Sequence, residues 1–127
     1  MAWEFDNDRP IYAQILEYIM VDIVSGKYNP GDKLPSVREL AQTAAVNPNT
    51  MQKALTELER MGMVHTERTA GRYITEDLEK IQRARLNIAK KHAVVFIKKM
   101  KELGYSKTEI NDLLQKHIEL WEAEVNG

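Results

Sequence analysis

The residues best suited to chemistry lie in Asn49-Thr50-Met51-Gln52-Lys53, where two amides, a hydroxyl and a cation are grouped and the next acid is Glu57. Amide side chains can bond adenine edges in pairs, threonine can bond phosphate or touch a thymine methyl, and lysine meets phosphate or guanine. The residues around them start and stop helices. Asn47 can cap the free backbone donors of a first turn, and Pro48 suits the first helical position because its missing N–H would be unpaired there anyway. Gly62 can take the left-handed conformation that closes the other end. Met51, Ala54, Leu55, Leu58 and Met61 recur at three- and four-residue spacing and predict one buried stripe, which leaves Asn49, Thr50, Gln52 and Lys53 on other faces. An ordinary amphipathic helix with a polar outer face has the same pattern, so its neighbours must decide between the two readings.

Composition excludes several other chemistries. The chain of 127 residues has no cysteine, so it has no thiolate nucleophile and no cysteine-based zinc or iron–sulfur site. It also lacks a glycine-rich phosphate loop and any Ser/His/Asp arrangement of recognisable spacing, and an enzyme is not expected; no cofactor and no metal site is predicted. The net charge of −1 does not advertise a nucleic-acid binder. Residues 1–75 carry 8 Lys plus Arg against 10 Asp plus Glu, and residues 76–127 carry 10 against 9. DNA affinity must therefore come from local placement. Between Lys33 and Lys53 the cations are Lys33, Arg38 and Lys53, and Glu39 is the only acid. No apolar run approaches membrane-spanning length, and the Met1 to Asp6 stretch lacks the basic-then-apolar order of a signal peptide, so a cytoplasmic location is expected.

The elements that would position these residues can be read in order. Trp3 and Phe5 belong to an extended arm and are available to dock. A first helix runs from near Arg9-Pro10 to Ser25-Gly26, with Ile11, Ile15, Ile19 and Ile23 as its core row. A turn region rich in Pro, Gly and Asn leads to a second helix, where Ser36 and Glu39 form an S-x-x-E capping box. Its start places a hydroxyl, backbone donors and Arg38 together, an arrangement that suits phosphate. The short connection from Gln42 to Val46 fits a helix-turn-helix. Two β-prone runs, Met63 to Glu67 and Arg72 to Thr75, predict a hairpin with Arg68 and Arg72 at its tip and base. The expected class is mainly α with a small β wing (α+β): a winged helix-turn-helix over residues 1–75, then a helical dimerisation region over 76–127.

Several strings carry a family resemblance. They are Ile11-Tyr12-x-Gln14-Ile15; Ser25-Gly26-x-x-x-Pro30-Gly31-Asp32-Lys33-Leu34-Pro35-Ser36-Val37-Arg38-Glu39-Leu40-Ala41; Val46-Asn47-Pro48-Asn49-Thr50; and Ala54-Leu55-x-Glu57-Leu58-Glu59. Together they resemble the GntR family of bacterial transcription regulators, and the Val-Asn-Pro-Asn-Thr segment with the short C-terminal part looks like its YtrA-like subfamily. The resemblance implies operator binding as a homodimer, often in control of ABC-transporter operons. It places DNA contacts on Ser36, Arg38, Asn49, Thr50, Gln52, Lys53, Gly71 and Arg72, to which the wing-tip position adds Arg68. Many family members have arginine at the positions of Pro48 and Gln52, which implies fewer guanine contacts here. Thr69 stands where a wing glycine is common, a departure expected to limit how closely the wing approaches the minor groove.

From Glu76 the pattern is helical. Leu78, Ile81, Ile88, Val95 and Leu103 mark a long helix ended by Gly104. Ser106 and Glu109 form a second capping box, opening a last helix whose stripe is Ile110, Leu113, Leu114, Ile118, Trp121 and Val125. So short a turn predicts antiparallel pairing, and a hairpin that cannot bury both stripes alone predicts a second copy. Phe96, Met100, Tyr105 and Trp121 are candidates for an effector pocket at the dimer interface, with packing as the plainer account. His92 and His117 would face each other across a symmetric hairpin and could bind a metal or sense pH, but no third ligand is evident. The rival to a dimeric DNA-binding regulator is a winged helix turned protein-interaction module, which the acidic balance would suit.

Overall fold

The computed structural model describes residues 3–68 and 70–126. It divides into two compact units, Met1–Leu86 and Asn87–Gly127. The first holds α1 (Ile11–Val24), α2 (Val37–Ala44), α3 (Pro48–Arg60), the antiparallel strands β1 (Val64–Glu67) and β2 (Gly71–Ile74), and the first turns of α4 (Leu78–Glu102). The remainder of α4 and α5 (Lys107–Asn126) make up the second.

The core of the first unit is the meeting of α3 with α1 and α2. Ile15, Ile19 and Ile23 of α1 are buried, as are Met51, Ala54, Leu55 and Leu58 of α3. Both rows lose their end member. Ile11, at the first turn, is 37% exposed and Met61, just past the last, is 39% exposed. The turn from α2 into α3 is made by Ala45 at φ 59, a left-handed conformation unusual outside glycine. It lets the Ala45 N–H bond the Gln42 carbonyl at 3.2 Å and the Val46 N–H bond that of Ala41 at 3.0 Å.

Strand β2 of the wing is paired on both edges. β1 pairs with β2 in the register Val64↔Ile74, His65↔Tyr73, Thr66↔Arg72, Glu67↔Gly71. On the other edge of β2, the Leu34 N–H donates to the Arg72 carbonyl (2.9 Å), the Ile74 N–H to that of Asp32 (2.8 Å), and the Gly31 N–H to that of Ile74 (3.0 Å). A two-stranded ribbon alone is marginally stable, so this third segment matters. Thr69 lies outside the described residues, and so does any effect of its replacing a glycine. The N-terminal arm docks as expected: Trp3 stacks on Tyr18 with ring centres 4.7 Å apart, and Phe5 meets the same ring edge-on. Buried Gln14 fixes the chain leading into α1 by donating from Nε2 to the Asp6 and Arg9 carbonyls, each at 3.0 Å, and accepting from the Asp6 N–H at 2.7 Å.

In the second unit the expected signals sit at the expected places. Gly104 at φ 89 ends α4, and Ser106 and Glu109 exchange backbone-to-side-chain bonds of 3.2 and 3.0 Å to open α5. The apolar rows of α4 and α5 do not bury one another as antiparallel pairing predicts. Ile110 near the turn is buried, but Val94, Val95, Ile97, Ile118 and Val125 are exposed and Trp121 is 62% exposed. Among the described residues no helix is long and apolar enough to cross a membrane.

Candidate nucleic-acid interface

α3 presents its polar face because its other face is fully engaged. Asn47 Oδ1 accepts from the Asn49 N–H at 2.8 Å and Pro48 occupies the first turn, so the helix starts where the sequence places its cap. With Met51, Ala54, Leu55 and Leu58 directed into the core, Asn49, Gln52 and Lys53 are exposed and Thr50 is half-buried. Among the described residues the one partner of Gln52 Nε2 is Thr56 Oγ1 at 3.4 Å, the weak limit of a hydrogen bond, so its amide can exchange this partner for another. Lys53 Nζ stands 3.9 Å above the centre of the Tyr12 ring. The π face attracts the cation and places it, with a strength of about 0.5–1 kcal/mol at an exposed site. Tyr12 therefore belongs to the site, although the sequence offers it only as part of a family string and not as a contact residue; it sits off the isoleucine row of α1, and spacing gives no hint that its ring meets α3.

α2 supplies the second group. Ser36 Oγ accepts from the Glu39 N–H at 3.1 Å, and Glu39 Oε1 lies 3.5 Å from the Ser36 nitrogen, so the capping box is present. Arg38, in the first turn, is exposed. Between this helix start and the base of the wing lies an open groove of about 660 Å³, lined by Lys33, Ser36, Glu39, Gly71 and Arg72 among others. Three of the expected contact residues, Ser36, Gly71 and Arg72, thus share one concavity. Gly71 has φ +97, and a Cβ there would lie 3.3 Å from Lys33 Cε, so glycine serves both the backbone conformation and the close approach of Lys33. Arg68 is exposed at the end of β1.

Arg72 is not simply displayed to solvent. Its Nε donates to Glu59 Oε1, which also accepts from Thr66 Oγ1 at 2.7 Å. The Thr66 hydroxyl, followed by the Arg72 guanidinium, holds the Glu59 carboxyl below the usual carboxylate range against an opposing desolvation. Glu57 is likewise lowered by its bond from Arg60. Both acids on α3 are therefore paired with cations, which tempers their repulsion of a polyanion. The face as a whole offers amides, hydroxyls, backbone donors and cations in a pattern that suits phosphate and base edges.

Of the C-terminal candidates, the two histidines and Trp121 are exposed in the single chain. Phe96, Met100 and Tyr105 are half-buried while Trp121 stands in solvent, so one copy does not close a pocket around all four. His92 and His117 are both exposed, on helices whose rows do not bury each other.

Comparison with known proteins gives a consistent picture. Residues 11–74 match the family model for bacterial regulatory proteins of the gntR family. The HTH-type transcriptional regulator YhcF of Bacillus subtilis is 42% identical over 107 residues, covering 84% of this chain and 88% of that protein. The HTH-type transcriptional repressor YtrA of the same organism is 49% identical over 71 residues, covering 56% of this chain and 55% of that protein. A GntR family transcriptional regulator from Listeria monocytogenes has a solved structure that matches with a TM-score of 0.83 and 46% identity, over 88% of this chain and 98% of that one.

Proposed function

The chain belongs to the gntR family of bacterial regulatory proteins, a family of DNA-binding transcription regulators rather than enzymes, and from that premise we propose that it acts in the cytoplasm as a homodimeric repressor of a transporter-type operon, holding an inverted-repeat operator. The observation that carries this reading is the outer face of α3: Asn49, Gln52 and Lys53 are exposed on a helix whose opposite face is fully buried. In this reading α3 enters the major groove, Asn49 and Gln52 read base edges, and Thr50 and Lys53 hold phosphate. Ser36 and Arg38 grip the backbone at the start of α2, while Arg68, Gly71 and Arg72 bring the wing alongside.

The winged helix forms the DNA-binding domain over residues 1–75, and residues 76–127 form the dimerisation region. The dimer is supported by the many large apolar side chains of α4 and α5 that one chain leaves exposed, among them Val94, Ile118, Trp121 and Val125. Repression is supported by the relative named as the repressor YtrA, and the operon class by the resemblance of this chain to the YtrA-like subfamily. The effector pocket in this reading lies at the dimer interface, lined by Phe96, Met100, Tyr105 and Trp121. Two-fold symmetry sets the half-sites about one helical turn, ~34 Å, or a multiple of it apart.

The test is selection of bound duplexes from a random library, with the mass of the chain in solution measured alongside. The expected result is an enriched inverted repeat and a dimer. A folded chain that retards no duplex at low salt would instead favour the interaction-module reading.

A further inference from the structure

We infer that Glu59, on the last turn of α3, is a positioning residue for DNA binding that clasps the wing to the recognition helix through Thr66 and Arg72. The inference rests on the DNA-binding reading above. One carboxylate oxygen, Oε1, accepts from Thr66 Oγ1 on β1 at 2.7 Å and from Arg72 Nε on β2. Thr66 and Arg72 are direct partners across the sheet, so a single atom of α3 ties both strands at one rung. The contact is partly sheltered, with the Arg72 side chain 19% exposed and that of Glu59 32% exposed, and a charge-assisted bond is stronger there than in open solvent. The next rung, Glu67↔Gly71, ends the ladder, and Arg68 follows it at the tip. A two-stranded ribbon this short has little rigidity of its own; the Leu34 N–H bond to the Arg72 carbonyl holds the β2 backbone at that rung, and the Glu59 clasp adds the tie from the rung's side chains to α3.

This assignment reverses what charge alone predicts. A carboxylate on a DNA-facing helix repels phosphate, and if Glu59 were only a solvated acid its neutralisation would tighten binding. As a clasp it must weaken binding when removed, because helix and wing then no longer meet the duplex as one surface. Arg72 gains a double role. Its Nε is spent inside the protein, which fixes the plane of the guanidinium, while the fork of remaining donors can face a phosphate.

The experiment is a double-mutant cycle with Glu59→Gln and Arg72→Gln. Affinity is measured on a duplex enriched from a random library by the unaltered chain and on a random-sequence duplex of the same length. Thermal melting and hydroxyl-radical protection of the duplex accompany it. Glu59→Gln is expected to weaken binding to the enriched duplex roughly three- to tenfold, with loss of the protection given by the wing. Combining it with Arg72→Gln should add less than the product of the two separate losses, as expected for residues in one network. Should Glu59→Gln fold poorly, Thr66→Val keeps charge and shape, removes one of the two bonds, and is expected to cause a smaller loss of the same kind. Equal or tighter binding by Glu59→Gln, or losses that multiply independently, would overturn the inference alone. An unaltered chain that enriches no duplex would overturn the DNA-binding reading together with it.

Discussion

Replacing Gln52 with alanine separates base reading from mere attachment. Gln52 is exposed, and its only hydrogen bond among the described residues is the 3.4 Å contact to Thr56. Removing it leaves no cavity and no orphaned buried partner, so melting should change by less than about 0.5 kcal/mol. If the amide bonds an adenine edge in pairs, its loss should weaken the enriched duplex by about 1–3 kcal/mol, roughly 5- to 150-fold, with the penalty confined to one base position. Lys53→Ala is the control. It removes a cation held over Tyr12, and should weaken enriched and random duplexes alike while lowering the salt slope by about one. Fluorescence anisotropy on duplexes carrying each single base change, at several salt concentrations, measures both variants. Equal losses for Gln52→Ala on enriched and random DNA would remove it from the residues that read sequence.

Other outcomes follow from packing and charge. Leu58→Ala, at a position with no exposed surface, should destabilise the fold by about 2–5 kcal/mol in denaturant titration. Ala45→Gly relieves a left-handed alanine at φ 59 and should stabilise the chain by up to about 1 kcal/mol, part of the gain being offset by the freer unfolded glycine. Ile118→Glu with Trp121→Glu should halve the mass in sedimentation if α5 forms the dimer, since both are exposed in one chain and no monomer core is disturbed. Glu59 has a depressed folded pKa, so its contribution to stability is complete above its unfolded value of about 4.3 and is lost as pH falls through the lower folded value. The difference in melting temperature between the unaltered chain and Glu59→Gln should accordingly shrink as pH falls below about 4.

The fold was legible wherever a local signal carried it. Asn47-Pro48 opens α3 and Gly62, at φ 77 just after its C-cap Met61, follows its end, Ser36 with Glu39 opens α2, and Ser106 with Glu109 opens α5, because caps act within one helical turn and depend on nothing distant. Features built from separate parts of the chain were not legible. Glu59 reads as one more solvated acid until the hairpin folds back to deliver Thr66 and Arg72, 7 and 13 residues downstream. Tyr12 and Lys53 meet only once α1 lies across α3. Ala45 carries no mark of its left-handed backbone, since alanine is a helix former and rarely adopts that conformation. The splayed apolar rows of α4 and α5 show the same limit from the other side: periodicity identifies a stripe but not what covers it.

Whether the chain reads sequence is decided by titrating it against its enriched duplex and against a scrambled duplex of the same length and composition, under stoichiometric and dilute conditions at physiological salt. Two chains per duplex and a preference of at least about a thousandfold for the enriched sequence are predicted. Indistinguishable affinities for the two duplexes, or one chain per site with no inverted repeat, would contradict a dimeric operator-binding regulator.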